Sequence, residues 1–78
     1  MNTKDLKCFE AVYQEKSISR AARRLYITPQ GLGKNIRTLE AELETVLFER
    51  TKQGMRPTQS ADFLYGRTKK IIQELEEL

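Results

Sequence analysis

The sequence contains no histidine, no tryptophan and a single cysteine, and these absences remove whole classes of chemistry. Cys8 alone cannot build a disulfide framework, and without imidazole there is neither a zinc cluster nor a histidine base, so most hydrolase and metalloenzyme designs lack parts. We expect no enzyme and no cofactor in this chain. Long apolar runs are missing too, which excludes a transmembrane helix, and Met1-Asn2-Thr3-Lys4-Asp5 lacks the hydrophobic block of a secretory signal. A cytoplasmic location away from membranes is therefore expected. A chain of 78 residues makes one small domain with a modest core, and helix packing must supply most of its stability.

Acidic residues are absent from one long stretch. Between Lys16 and Arg37 stand six cations (Lys16, Arg20, Arg23, Arg24, Lys34, Arg37) and no acid. Glu40, Glu42, Glu44 and Glu49 follow with no cation among them, and Arg50, Lys52 and Arg56 restore a positive block. The net charge is only +3, but segregation of this kind sets up a local positive field that attracts polyanions.

Within that stretch lies the most informative segment, 28–43. Thr28 can cap a helix with its hydroxyl, and Pro29 at the first helical position loses nothing by lacking an N–H. Leu32, Ile36, Leu39 and Leu43 recur at steps of four, three and four, which places them on one core-facing side. Gln30, Gly31, Lys34, Asn35 and Arg37 are left to point outward. Amides that can pair with base edges and cations that can meet phosphates make this free side a candidate nucleic-acid probe.

Taken in order, the chain begins with a helix capped by Asn2 or Thr3, with Leu6, Phe9, Val12 and Tyr13 spaced for one buried stripe. Cys8 flanks that stripe and reads as a small buried hydrophobe. Ser17 and Ser19 both offer caps for a short second helix in which Ala21, Ala22 and Leu25 face inward, the alanines permitting close approach of a neighbour. Leu25 to Thr28 form a corner, plugged by Ile27, that leads into the probe helix. Two helices joined by so short a corner, the second polar on its free side, form a helix-turn-helix, whose second helix enters a major groove. Thr45 to Thr51 is β-branched and aromatic, and Lys52 to Pro57 offers a Gly-centred reversal, which together predict a hairpin anchored by Leu47 and Phe48 with Arg50, Lys52 and Arg56 around its tip. Thr58 caps a last helix. Along it Ala61, Leu64, Thr68, Ile71, Leu75 and Leu78 alternate steps of three and four, a heptad seam suited to a second copy of the chain, with Tyr65 and Ile72 turned to the domain. Because the seam runs to the last residue, we expect a longer polypeptide.

The order of Leu6-Lys7-Cys8-Phe9, Ser17-Ile18-Ser19-Arg20-Ala21-Ala22-Arg23-Arg24-Leu25, Ile36-Arg37-Thr38-Leu39-Glu40-Ala41-Glu42-Leu43, Leu47-Phe48-Glu49-Arg50 and Arg56-Pro57-Thr58 resembles the N-terminal domain of the LysR-type transcriptional regulators. The resemblance implies a mainly α winged helix-turn-helix over residues 1–57, with a three-helix core and a short β-hairpin wing. A linker and dimerisation helix follows over 58–78. It implies sequence-specific binding of double-stranded DNA by a bacterial homodimer on a two-fold site. It also implies RNA polymerase as a partner of the longer protein, and a small-molecule effector for a C-terminal domain absent from this chain. Carried over residue by residue, base contacts fall on Thr28, Pro29, Gln30, Gly33 and Lys34, with Arg37 near the backbone. Ser17, Ser19 and Arg20 fall at the phosphate-facing start of the second helix, and Arg50, Lys52 and Arg56 in the wing. The family usually has Ser-Gln-Pro-Ala-Leu-Ser where this chain has Thr28-Pro29-Gln30-Gly31-Leu32-Gly33, so the base preference should differ. Gly31 and Gly33 weaken the helix by about 1 kcal/mol each relative to alanine. Glu44 stands where a helix-ending glycine is common, and Ala61 where the last helix often has one. The same surface would serve, in other settings, an architectural DNA binder without sequence preference or a module that docks an acidic protein. Gly31-Leu32-Gly33-Lys34 lacks the preceding strand and spacing of a phosphate loop.

Overall fold

Asn2 starts the fold by accepting the Asp5 N–H at 2.9 Å, while the Asp5 carboxylate accepts the Asn2 N–H at 3.2 Å, a reciprocal cap that leaves Thr3 inside the helix. In the computed structural model, which describes residues 1–78, this opens α1 (Thr3–Glu15), followed by α2 (Ile18–Leu25), α3 (Pro29–Leu43), β1 (Phe48–Thr51), β2 (Gly54–Pro57) and α4 (Gln59–Glu76). Ser17, not Ser19, caps α2 by accepting the Arg20 N–H at 3.1 Å. Thr28 caps α3 through the Gly31 N–H at 3.0 Å, with Pro29 at the first turn, and Thr58 caps α4 through the Ala61 N–H at 3.2 Å.

The core gathers around Phe9 of α1, whose ring lies 6.0 Å from that of Tyr13 and 5.6 Å from that of Phe48. Val12, Leu32, Ile36, Leu39 and Leu47 close around it, and Ala21 and Ala22 are buried where α2 meets its neighbours. Each fully buried large side chain contributes about 1.5–3 kcal/mol of transfer free energy. Cys8 is buried in the same cluster, and loss of water pushes its thiol pKa up. Ile27 does not plug the corner. It is 36% exposed, on the rim of a shallow cleft with Thr3, Lys4, Cys8 and Leu25.

The hairpin is shorter than its sequence signal. Pairing is antiparallel in the register Phe48↔Pro57, Glu49↔Arg56, Arg50↔Met55 and Thr51↔Gly54, so the strand starts at Phe48 and the reversal is the pair Lys52-Gln53. Gly54 opens β2 instead of centring the turn. Its φ of +126° and the 2.4 Å that would separate an added Cβ from the Lys16 carbonyl oxygen both demand glycine, and the next residue, Met55, donates its N–H to that carbonyl at 3.0 Å. Residues 45–47 are held differently: the Glu40 carboxylate accepts the N–H groups of Leu47 at 2.7 Å and Phe48 at 3.3 Å, steering the chain into the wing.

α4 packs on α1, and its buried residues run from Ala61 to Ile72. The Tyr13 and Tyr65 rings stack at 3.9 Å, Tyr13 donates its hydroxyl to Asp62 at 2.7 Å, and Gln14 donates to the Tyr65 oxygen at 2.9 Å. The Asp62 carboxylate raises the pKa of the Tyr13 phenol. Ala61, Thr68 and Ile72 are buried, and Leu64 is half-buried against the core. This corrects the expected seam: Ala61 and Thr68 face the domain's own interior and have no surface to offer a partner. Ile71, Leu75 and Leu78 remain exposed, joined by Phe63, which is 70% exposed.

Candidate nucleic-acid interface

The apolar back of α3 is fixed by Leu32, Ile36 and Leu39, so its opposite side must face outward. Gln30, Lys34 and Arg37, at steps of four and three, form one exposed row, and none of the three makes an ion pair or side-chain hydrogen bond within the chain. Thr28 and Pro29 begin the row at the tip. Asn35 departs from the expected free set, since its Nδ2 donates to Asp5 Oδ1 at 2.8 Å and it is half-buried. Gly33 departs further. It is buried beneath the Arg37 side chain, whose Nη1 would lie 3.5 Å from an added Cβ, so Gly33 has no free surface to offer a base directly.

Arg37 and Arg50 line the same groove between α3 and the wing, together with Ile18, Gly33, Ile36 and Glu40, with a volume of about 240 Å³. Arg50 pairs across the hairpin with buried Met55, so it stands on the side of the wing that faces the body, and it has no acidic partner. Glu40 is the acid in this groove, and its carboxylate is engaged with the Leu47 and Phe48 amides. Lys52 sits exposed in the two-residue turn. Arg56 lies on the other side of the hairpin, where it donates to Glu49 at 2.9 Å. The wing thus separates its three cations: Arg50 toward α3, Lys52 at the tip, Arg56 across.

The positive stretch is also divided. Arg20 turns back to α1, donating to the Glu15 carbonyl at 2.6 Å with its Nε 3.8 Å from the Glu15 carboxylate. Arg24 donates to Gln14 at 2.7 Å and to Glu15 at 3.3 Å, and Lys16 donates to the Tyr13 carbonyl at 2.9 Å. Arg20 therefore links α1 to α2 while its side chain stays 60% exposed. Ser17 spends its hydroxyl on the Arg20 amide, while Ser19 is exposed in the first turn, beside main-chain amides that have no intrahelical partner.

Two features escaped the sequence reading. Tyr26 is 95% exposed in the left-handed conformation (φ 59°) at the corner, immediately before the probe helix, and nothing in the spacing marks it. Glu40 holds the wing through the Leu47 and Phe48 amides, a role that no local spacing in the sequence marks.

Three helices, a two-stranded wing and an unpaired polar row on the second helix of a helix-turn-helix define a winged helix-turn-helix of the nucleic-acid-binding class. The family described as "Bacterial regulatory helix-turn-helix protein, lysR family" matches residues 3–62, and the chain belongs to that family as its DNA-binding domain. It is 34% identical over 77 residues to the nitrogen assimilation regulatory protein nac of Klebsiella aerogenes, covering 99% of this chain and 25% of that protein. It is 39% identical over 77 residues to the HTH-type transcriptional regulator YofA of Bacillus velezensis (strain DSM 23117 / BGSC 10A6 / LMG 26770 / FZB42), covering 99% of this chain and 27% of that protein. The crystal structure of the BenM DNA-binding domain in complex with catB site 1 DNA superposes with a TM-score of 0.95 at 31% identity, over 99% of this chain and 86% of that one. The chain spans about a quarter of the length of these curated relatives.

Proposed function

We propose that this chain recognises a specific double-stranded DNA site as a homodimer and serves the cytoplasmic regulation of transcription in a bacterium, without enzymatic activity of its own. α3 enters the major groove with Thr28, Pro29, Gln30 and Lys34 at the base edges. Arg37 and Arg50 meet the phosphates flanking the groove they share, Ser17 and Ser19 meet a phosphate at the start of α2, and Lys52 reaches along the backbone or into the minor groove. Arg56 contributes through the field of the wing more than through a direct contact, because Glu49 already holds its guanidinium. Residues 58–78 act as the linker, with dimerisation on the exposed stripe of Phe63, Ile71, Leu75 and Leu78.

The observation that carries this reading is the row Gln30, Lys34 and Arg37: polar, exposed, without partners in the chain and mounted on a helix whose other side is the core. Relatives described as transcriptional regulators and a superposable domain seen with DNA support it. The test is competition between a duplex selected by the chain and random duplex. Gln30→Ala and Lys34→Ala should each cost about 1–3 kcal/mol on the selected duplex and little on random DNA. Arg50→Ala should weaken both and lower the salt slope by about one phosphate. If Gln30→Ala and Arg50→Ala affected both duplexes alike, this division of roles would be wrong.

A further inference from the structure

Asn35 lies on the probe helix next to exposed Lys34, yet its amide is drawn inward: Nδ2 donates to Asp5 Oδ1 at 2.8 Å, and its own Oδ1 is buried without a partner. Asp5 is fixed from behind. Its second carboxylate oxygen accepts the Asn2 N–H at 3.2 Å, so the group that holds Asn35 also belongs to the cap that begins α1. The contact joins two helices across 30 residues of chain.

Directional anchoring matters on this helix. The back of α3 is held by apolar contacts, which are non-directional and tolerate small rotations, and its first turns carry Gly31 and Gly33, which have no side chains to pack. A hydrogen bond with a required angle can fix what those contacts leave loose. Resting on the DNA reading above, we propose that Asp5 is a positioning residue: by gripping Asn35 it sets the rotation of α3 and so the direction in which Gln30 and Lys34 meet base edges. Simple electrostatics predicts the opposite outcome of its removal. An acid close to a DNA-binding helix repels phosphate, so deleting it should tighten binding to every duplex. Positioning predicts instead that the preferred duplex loses its advantage.

The test uses a duplex recovered from a random pool by the unmodified chain, with its affinity measured beside that of random-sequence duplex of equal length and at equal salt. Asp5→Ala and Asn35→Ala should each reduce the ratio of the two affinities by about tenfold, with binding to random duplex unchanged or tighter. Asp5→Asn keeps an acceptor oxygen in place and should retain most of the ratio. Unfolded chain is lost equally from both measurements, so a contact that only stabilises the fold leaves the ratio where it was. An unaltered ratio in Asp5→Ala would overturn the positioning role and leave the DNA reading standing. An unmodified chain that recovers no preferred duplex would overturn both.

Discussion

Gly31 and Gly33 differ in what a methyl group would meet. At Gly33 an added Cβ finds the flexible end of Arg37 at 3.5 Å, an ordinary contact, whereas at Gly31 it comes within 3.0 Å of the Thr28 hydroxyl that caps the helix. Gly33→Ala should therefore gain about 1 kcal/mol from helix propensity, raising the melting temperature by about 4–8 °C. Gly31→Ala should gain less, because the cap must give way. Calorimetry of the two variants checks this, and equal gains would show that the cap moves freely. Which side of α3 is free was legible at this scale, because the spacing of four apolar residues settles it. Residues tied by polar contacts from another helix were not: Arg20 and Asn35 read as free, yet Glu15, five residues away, and Asp5, thirty residues away, engage them.

Elements reveal a second reason for what the sequence concealed. α1, α2 and α3 all end on non-glycine residues in the left-handed region (Lys16, Tyr26 and Glu44), so the usual glycine stop signal is missing although the geometry is present. The wing likewise depends on one remote carboxylate. Glu40→Ala leaves the Leu47 and Phe48 amides without their acceptor and should cost about 1–3 kcal/mol in urea unfolding. It should also accelerate amide exchange at residues 47 and 48, and slow exchange there would contradict the assigned role. In α4 the three-and-four spacing serves two surfaces: Ala61 and Thr68 close the domain's interior, while Ile71 and Leu75 stay exposed. Ile71→Glu or Leu75→Glu should yield monomers in sedimentation with the domain still folded, whereas Thr68→Glu should unfold it. Dimers persisting in both exposed variants would move the interface elsewhere.

At the scale of the molecule, the fold spends part of its positive charge on itself. Arg20 and Arg24 tie α2 to the end of α1, Lys16 folds back on the Tyr13 carbonyl, and Lys34, Arg37, Arg50 and Lys52 stay unpaired around α3 and the wing. The outward-facing cations thus lie beside the polar row that can distinguish bases, so general attraction and discrimination come from neighbouring but separate residues. Groove occupancy is most directly measured with a selected duplex in which purine N7 is replaced by C–H, a change confined to the major groove. Affinity should fall about tenfold at a few adjacent positions in each of two half-sites, spaced by about one helical turn, and the loss should vanish in a Gln30→Ala, Lys34→Ala double variant. Full affinity for the substituted duplex at every position would mean that α3 does not read the major groove.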